Sequence, residues 1–275
     1  MRYETLDIKN KYSQDYAKLT VYILDDSKEI AIHKRPMVLV CPGGGYGMTS
    51  DREAEIVALQ FAAMGYHTAV LRYSVAPAVF PAAILEVGKS VALIKSHAEE
   101  WQIDTDRIAI VGFSAGGHLT ANYGTFWHKD FMQEELGVEK EMLRPGAMIL
   151  GYPVITSGEY AHQGSFMNLL AEDYEARKAE FSLENCVTED TPRAFLWHTY
   201  EDDLVPVQNS LLFVNALVEK NIPVEFHMFQ KGAHGLSLAN RLTGTIGLKP
   251  EGAAAAWIPL VHSWMENWIA EDVEV

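Results

Sequence analysis

Short, wholly apolar runs alternate along this chain with longer stretches in which apolar residues recur every three or four positions. Met37 to Cys41, Thr68 to Tyr73, Ile108 to Val111, Ala147 to Gly151 and Ala194 to Thr199 read as buried strands, and Val224 to Phe229 as an alternating one. Between them, Asp51 to Met64 places Ala54, Val57, Ala58 and Phe61 at helical spacing, with Ser50 a candidate N-cap and Gly65 a candidate C-cap. Ala82 to Trp101, Val207 to Lys220 and Ala253 to Ile269 predict further helices. Near the start, Leu19 to Leu24 and Glu29 to His33 predict an antiparallel pair turning at Asp25-Asp26-Ser27.

The strand–helix–strand rhythm predicts an α/β fold, a mostly parallel sheet with helices on both faces, with residues 1–275 as one domain. Thr156 to Arg193 breaks the rhythm and holds a charged helical piece, Leu169 to Phe181. It reads equally as a long crossover or as a small insertion over the C-terminal edge of the sheet, where open α/β folds bind ligands.

Charge narrows the partners. Lys and Arg number 22 against 37 Asp and Glu, a net charge of −15. Such a chain is repelled by phosphate backbones and anionic lipid, so neither nucleic acid nor membrane is an expected partner. Met1 to Asp7 lacks the apolar run of a signal peptide. The two cysteines, Cys41 and Cys186, allow at most one bridge and no metal-ligand cluster. A reduced, cytoplasmic, metal-free protein without a cofactor is expected. The oligomeric state is open, a homodimer among the options.

Candidate chemistry starts at Gly112-Phe113-Ser114-Ala115-Gly116-Gly117, directly after the run Ile108-Ala109-Ile110-Val111. A buried strand, a sharp turn carrying one serine, and a helix opening at Ala115 make the G-x-S-x-G nucleophile elbow. The flanking positions need glycine because side chains there would strike the neighbouring strand and helix. The pentapeptide alone is modest evidence, since a glycine-rich turn without catalysis would look the same. A serine hydroxyl is a poor nucleophile and needs a histidine base oriented by a carboxylate. In this kind of fold the chain order is Ser, acid, His. His234, in Gly232-Ala233-His234-Gly235, follows a strand on a loop of small residues. The later alternatives fit worse: His118 lies in the elbow helix, His198 and His227 within strands, and His262 in mid-helix. The acid is one of Glu201, Asp202 and Asp203, on the loop after Thr199. Oxyanion donors need a second source besides the Ala115 N–H, and Pro42-Gly43-Gly44-Gly45-Tyr46 follows an early strand with room for inward N–H groups. It lacks the Lys-Ser/Thr ending of a phosphate-binding loop.

These segments, with Leu71-Arg72-Tyr73, Ala76-Pro77, Thr191-Pro192 and Asp202-Asp203-Leu204-Val205-Pro206-Val207, resemble α/β-hydrolase carboxylesterases. The resemblance is nearest to bacterial acetyl-esterase and xylan-esterase-like proteins, related to the hormone-sensitive-lipase and dienelactone-hydrolase groups. It implies Ser114 as nucleophile, His234 as base, Asp202 as acid, and oxyanion donors at Gly44, Gly45 and Ala115. Tyr46, closing the glycine run, is the substrate-binding candidate. Pro42 stands where lipases of the hormone-sensitive group carry histidine, which favours the sugar-esterase branch. The expected substrate is a small-molecule ester, a short acyl group on a carbohydrate such as an acetylated xylo-oligosaccharide. The alternatives are a serine peptidase like the prolyl oligopeptidases, which usually carry a gating domain with no counterpart here, and a non-catalytic binding protein, which commonly loses one of the three site residues.

Overall fold

A computed structural model describes residues 1–244 and 252–271; the remainder of the expected 1–275 domain lies outside the described residues. One eight-stranded sheet organises the chain in the order β1-β2-β4-β3-β5-β6-β7-β8. The strands are β1 Arg2–Asp7, β2 Lys18–Ile23, β3 Arg35–Cys41, β4 His67–Arg72, β5 Ile103–Phe113, β6 Ala147–Gly151, β7 Arg193–Thr199 and β8 Val224–Phe229. The pairings β1–β2 and β2–β4 are antiparallel; from β4 through β8 every pairing is parallel. Strands β3 to β7 are apolar on both sides because core packs on both faces. Leu39, Ile110, Met148 and Leu196 point into one hydrophobic cluster, and Val38, Val40, Val111, Ile149 and Trp197 into the other. The closing helix Trp257–Ala270 seals the second cluster, with Trp257 stacked on Trp197 at 5.3 Å.

The order reverses at β3: the next strand, β4, lies on one side of it and β5 on the other. Such a reversal opens a crevice at the strand C-termini. Cys41 is level with Gly112, so the loops after β3 and β5, which carry the glycine run and Ser114, leave the sheet side by side.

Four local expectations are corrected. Residues 29–33 form no strand; β2 pairs instead with β1, whose residues are exposed or half-buried. An edge strand that wets both faces leaves little apolar signal. Ser50 makes no capping hydrogen bond, and the turn Asp51–Glu53 precedes the helix Glu55–Ala62. The long helix breaks at His97, between Ala82–Ser96 and Ala98–Trp101. The piece 169–181 is several short turns rather than one helix: helix Gln163–Leu170 ends at Ala171, whose φ is +47°. The segment packs on the loop before helix Ala82–Ser96 and on the helix Ala115–Phe126, Leu169 accepting the Phe80 N–H and Phe181 the His118 Nε2–H. No helix among the described residues is long and apolar enough to cross a membrane.

Candidate active site

Ser114 sits between β5 and the helix Ala115–Phe126 with φ +52° and ψ −120°, a strained conformation for a residue with a side chain. The flanking glycines permit it. A Cβ on Gly112 would lie 2.2 Å from the Gly116 carbonyl oxygen, and a Cβ on Gly116 2.2 Å from that of Cys41. Backbone bonds then lock the turn: Ser114 N–H donates to Gly151 O, and Ser114 O accepts from His118 N and Val154 N, all at 3.0 Å.

His234 reaches across from the loop after β8, between Gly232 (φ +138°) and Gly235 (φ +78°). Its Nε2 is 2.8 Å from Ser114 Oγ and its Nδ1 2.7 Å from Asp202 Oδ2. A carboxylate accepts, so Nδ1 carries the proton and Nε2 presents its lone pair to the serine hydroxyl. Asp202, on the loop after β7, has a fully buried side chain. Its Oδ1 accepts the N–H groups of Leu204 at 3.1 Å and Val205 at 2.9 Å. Burial alone would raise its pKa, but hydrogen bonds from His198 and His234 outweigh it and hold the carboxyl far below the usual range. Asp203, one position on, is exposed. The structure therefore brings Ser114, His234 and Asp202 together.

His198 enters the site although its strand position argued against it. Its Nε2 lies 2.9 Å from Val205 O and 3.2 Å from Asp202 Oδ2, and its Nδ1 2.8 Å from Ser210 Oγ. The carbonyl acceptor places the proton on Nε2, so His198 donates toward Asp202 Oδ2, the same oxygen that His234 contacts. The spacing His198 to Asp202, across a strand end, was the one sequence signal available.

At the glycine run, Gly43 N–H is taken by Glu53 Oε2 at 2.8 Å. The N–H groups of Gly44, Gly45 and Ala115 have no acceptor among the described residues. Gly44 and Gly45 have φ of +132° and +63°, backbone that glycine adopts without cost. Tyr46 departs from expectation. It is 2% exposed, its hydroxyl lies 2.9 Å from His118 Nδ1, and its ring packs edge-on against Tyr73. With a φ of +56°, Tyr46 is packed into the core, where its contacts anchor the loop. His118 is neutral there, since burial pushes it down to about 4.

Three surface cavities of about 640 to 830 Å³ lie elsewhere, none lined by Ser114, Asp202 or His234. Cys41 and Cys186 are both free thiols. No group of three His, Cys, Asp or Glu side chains among the described residues could hold a metal ion.

A family model described as BD-FAE matches residues 25–217. The chain is 38% identical over 214 residues to endo-1,4-beta-xylanase B of Butyrivibrio fibrisolvens, an alignment covering 75% of this chain and 33% of that protein. It is 28% identical over 238 residues to an acetylxylan esterase of Xylanibacter ruminicola, covering 81% and 47%. The chain thus spans a third to about half the length of these curated relatives. Among solved structures it is similar to an acetyl ester-xyloside bifunctional hydrolase from Caldicellulosiruptor lactoaceticus, with 38% identity, a TM-score of 0.78, and 92% and 88% of the two chains covered. It is also similar to the α/β hydrolase MGS-M1 from a Medee basin deep-sea metagenome, with 37% identity, a TM-score of 0.77 and 97% of each chain covered.

Proposed function

Since the chain belongs to the BD-FAE family and has the α/β-hydrolase fold of its carboxylic ester hydrolase relatives, we propose that it is a serine carboxylesterase that removes short acyl groups, acetyl above all, from small carbohydrates. Ser114 Oγ attacks the ester carbonyl carbon while His234 Nε2 takes its proton. Asp202 holds the imidazole in the required tautomer and stabilises the imidazolium. The oxyanion accepts the free N–H groups of Ala115 and of Gly44 or Gly45. The C–O bond to the alcohol then breaks, and His234 returns its proton to the leaving oxygen. Water repeats the sequence on the acyl-serine, releasing the acid and restoring the hydroxyl.

The observation that carries this reading is the continuous line of two short hydrogen bonds, Asp202 to His234 at 2.7 Å and His234 to Ser114 at 2.8 Å, ending on a serine at a strained elbow. Support for the acetyl-sugar class comes from the relatives named acetylxylan esterase and acetyl ester-xyloside hydrolase. The acidic segment 156–193 is consistent with a hydroxyl-rich alcohol rather than a long apolar chain.

A hydrolysis panel on the purified protein tests it: aryl esters of increasing chain length, acetylated xylo-oligosaccharides and a proline-containing peptide amide, each with wild type and Ser114→Ala. The expected result is turnover of the acetyl substrates, with Ser114→Ala retaining no more than about 10⁻³ of it. Amide cleavage without ester cleavage, or roughly a tenth or more of kcat left in Ser114→Ala, would refute it.

A further inference from the structure

A second buried carboxylate lies beneath the site, unused in the chemistry above. Glu53 ends the turn Asp51–Glu53 and is 4% exposed. Its Oε2 accepts the Gly43 N–H at 2.8 Å, and its Oε1 accepts the Tyr152 hydroxyl at 2.6 Å. The Tyr152 hydroxyl in turn accepts the Ser237 N–H at 2.8 Å, and its ring stands edge-on to the His234 imidazole with centroids 5.0 Å apart. The preceding residue reinforces the link. Arg52 donates to the carbonyls of Gly235 and Thr243, and its own carbonyl accepts the Ser237 hydroxyl.

The turn therefore touches two loops that are far apart in sequence. On one side is the glycine run, where a Cβ on Gly43 would fall 2.7 Å from Glu53 Oε2 and 3.0 Å from Ser114 Cβ. On the other is the loop that carries His234. Burial works against the charge of Glu53 and raises its pKa, opposed by the bonds from Tyr152 and Gly43. Each carboxylate oxygen nevertheless meets a donor, a pattern that serves the ionised form. Filling space alone would not call for a carboxylate, since an apolar side chain of similar volume occupies a buried site at lower cost.

We propose that Glu53 is a positioning residue for ester hydrolysis, tying the loop of Gly44 and Gly45 to the loop of His234 so that oxyanion donors and general base keep one fixed separation. The proposal rests on the Ser114–His234 reading. Negative charge at the oxyanion and positive charge at His234 develop together, so a slip of either loop weakens both stabilising contacts at once.

The test uses Glu53→Gln, Tyr152→Phe and the double variant, with active serines counted by titration with an aryl phosphonate. Glu53→Gln keeps one acceptor but cannot serve both donors. Its kcat per titrated serine is expected to fall about 10- to 100-fold, the scale of a small misplacement of reacting groups. KM on an acetyl aryl ester should stay within about twofold. Tyr152→Phe keeps the ring against His234 and cuts the same link, so its kcat falls too, and the double variant is no slower than Glu53→Gln. Glu53→Gln retaining more than about half of kcat per titrated serine, or losses that multiply in the double variant, would overturn the proposal. Where Glu53→Gln fails to fold, Tyr152→Phe decides, and an unchanged kcat there overturns it. Ser114→Ala is run alongside: activity surviving in it refutes the serine reading itself, whatever the Glu53 variants do.

Discussion

Replacing Asp202 by asparagine changes one atom in the site, and the surrounding bonds dictate how the amide must sit. Oδ1 accepts two backbone N–H groups, from Leu204 at 3.1 Å and Val205 at 2.9 Å. An NH₂ turned toward them would leave both N–H groups facing a donor, at about 1–3 kcal/mol for the buried Val205 N–H and less for the half-buried Leu204 N–H. The amide oxygen therefore takes the Oδ1 place, and the NH₂ takes the Oδ2 place, facing His234 Nδ1 and His198 Nε2. His198 already donates through Nε2, so it gains nothing from the new group. His234 must switch tautomer, accepting at Nδ1 and carrying its proton on Nε2, where it points at Ser114 and cannot take the serine proton. The expected loss in kcat is on the order of 10⁴-fold, roughly 5.4 kcal/mol of transition-state stabilisation. Asp203→Asn, at an exposed position one residue on, should stay within about twofold of wild type. The assay is steady-state hydrolysis of an acetyl aryl ester, with circular dichroism and thermal melting to show that both variants fold. Asp202→Asn keeping roughly a tenth of kcat, or the opposite ranking of the two variants, would refute the reasoning.

Because Asp202 is held far below the usual carboxylate range, it stays ionised above about pH 4. The acid limb of log kcat/KM, along which activity falls as pH falls, should then have a slope no steeper than about one, with no contribution from Asp202 above about pH 4; a slope of about two would show a second proton binding. Prolonged dialysis against a strong chelator should leave hydrolysis intact while an aryl phosphonate abolishes it, and loss to chelator restored by zinc would replace the serine mechanism with a metal-dependent one. Across acyl chain lengths kcat/KM should peak at acetyl or propionyl. A long chain needs apolar surface to gain about 0.8 kcal/mol per methylene, and an optimum at octanoyl or beyond would remove the carbohydrate-acetyl reading.

How much of this was legible in the sequence depends on whether a residue's job is local. The buried strands β3 to β7 could be read because each contains a short apolar run, although the polar start of β5, Asp104 to Arg107, carries no such signal, and the elbow because its collisions are local: Gly112 meets Gly116 four residues on. Ser114, Asp202 and His234 could be placed because the fold fixes which loops adjoin, and each loop carries its residue just beyond a readable strand. The choice of Asp202 over Asp203 came from the resemblance; geometry alone shows why, since the first is buried among donors and the second points to solvent.

The parts that were missed depend on contacts distant in sequence, and their residue types carry no mark of it. Arg2–Asp7 looks like a polar terminus until β2 pairs with it. Tyr46 looks like a ligand contact because it follows a glycine run, yet it is packed into the core and bonded to His118, 72 residues away. Glu53 reads as one of several acids at the start of a surface helix, where most such residues are solvated. Its partners lie 10 residues away at Gly43 and 99 away at Tyr152. A nucleophile elbow announces itself because a rare backbone shape demands particular residues on the spot. A brace between loops demands only that the folded chain bring a carboxylate to two donors, and many sequences satisfy that condition without any local sign of it.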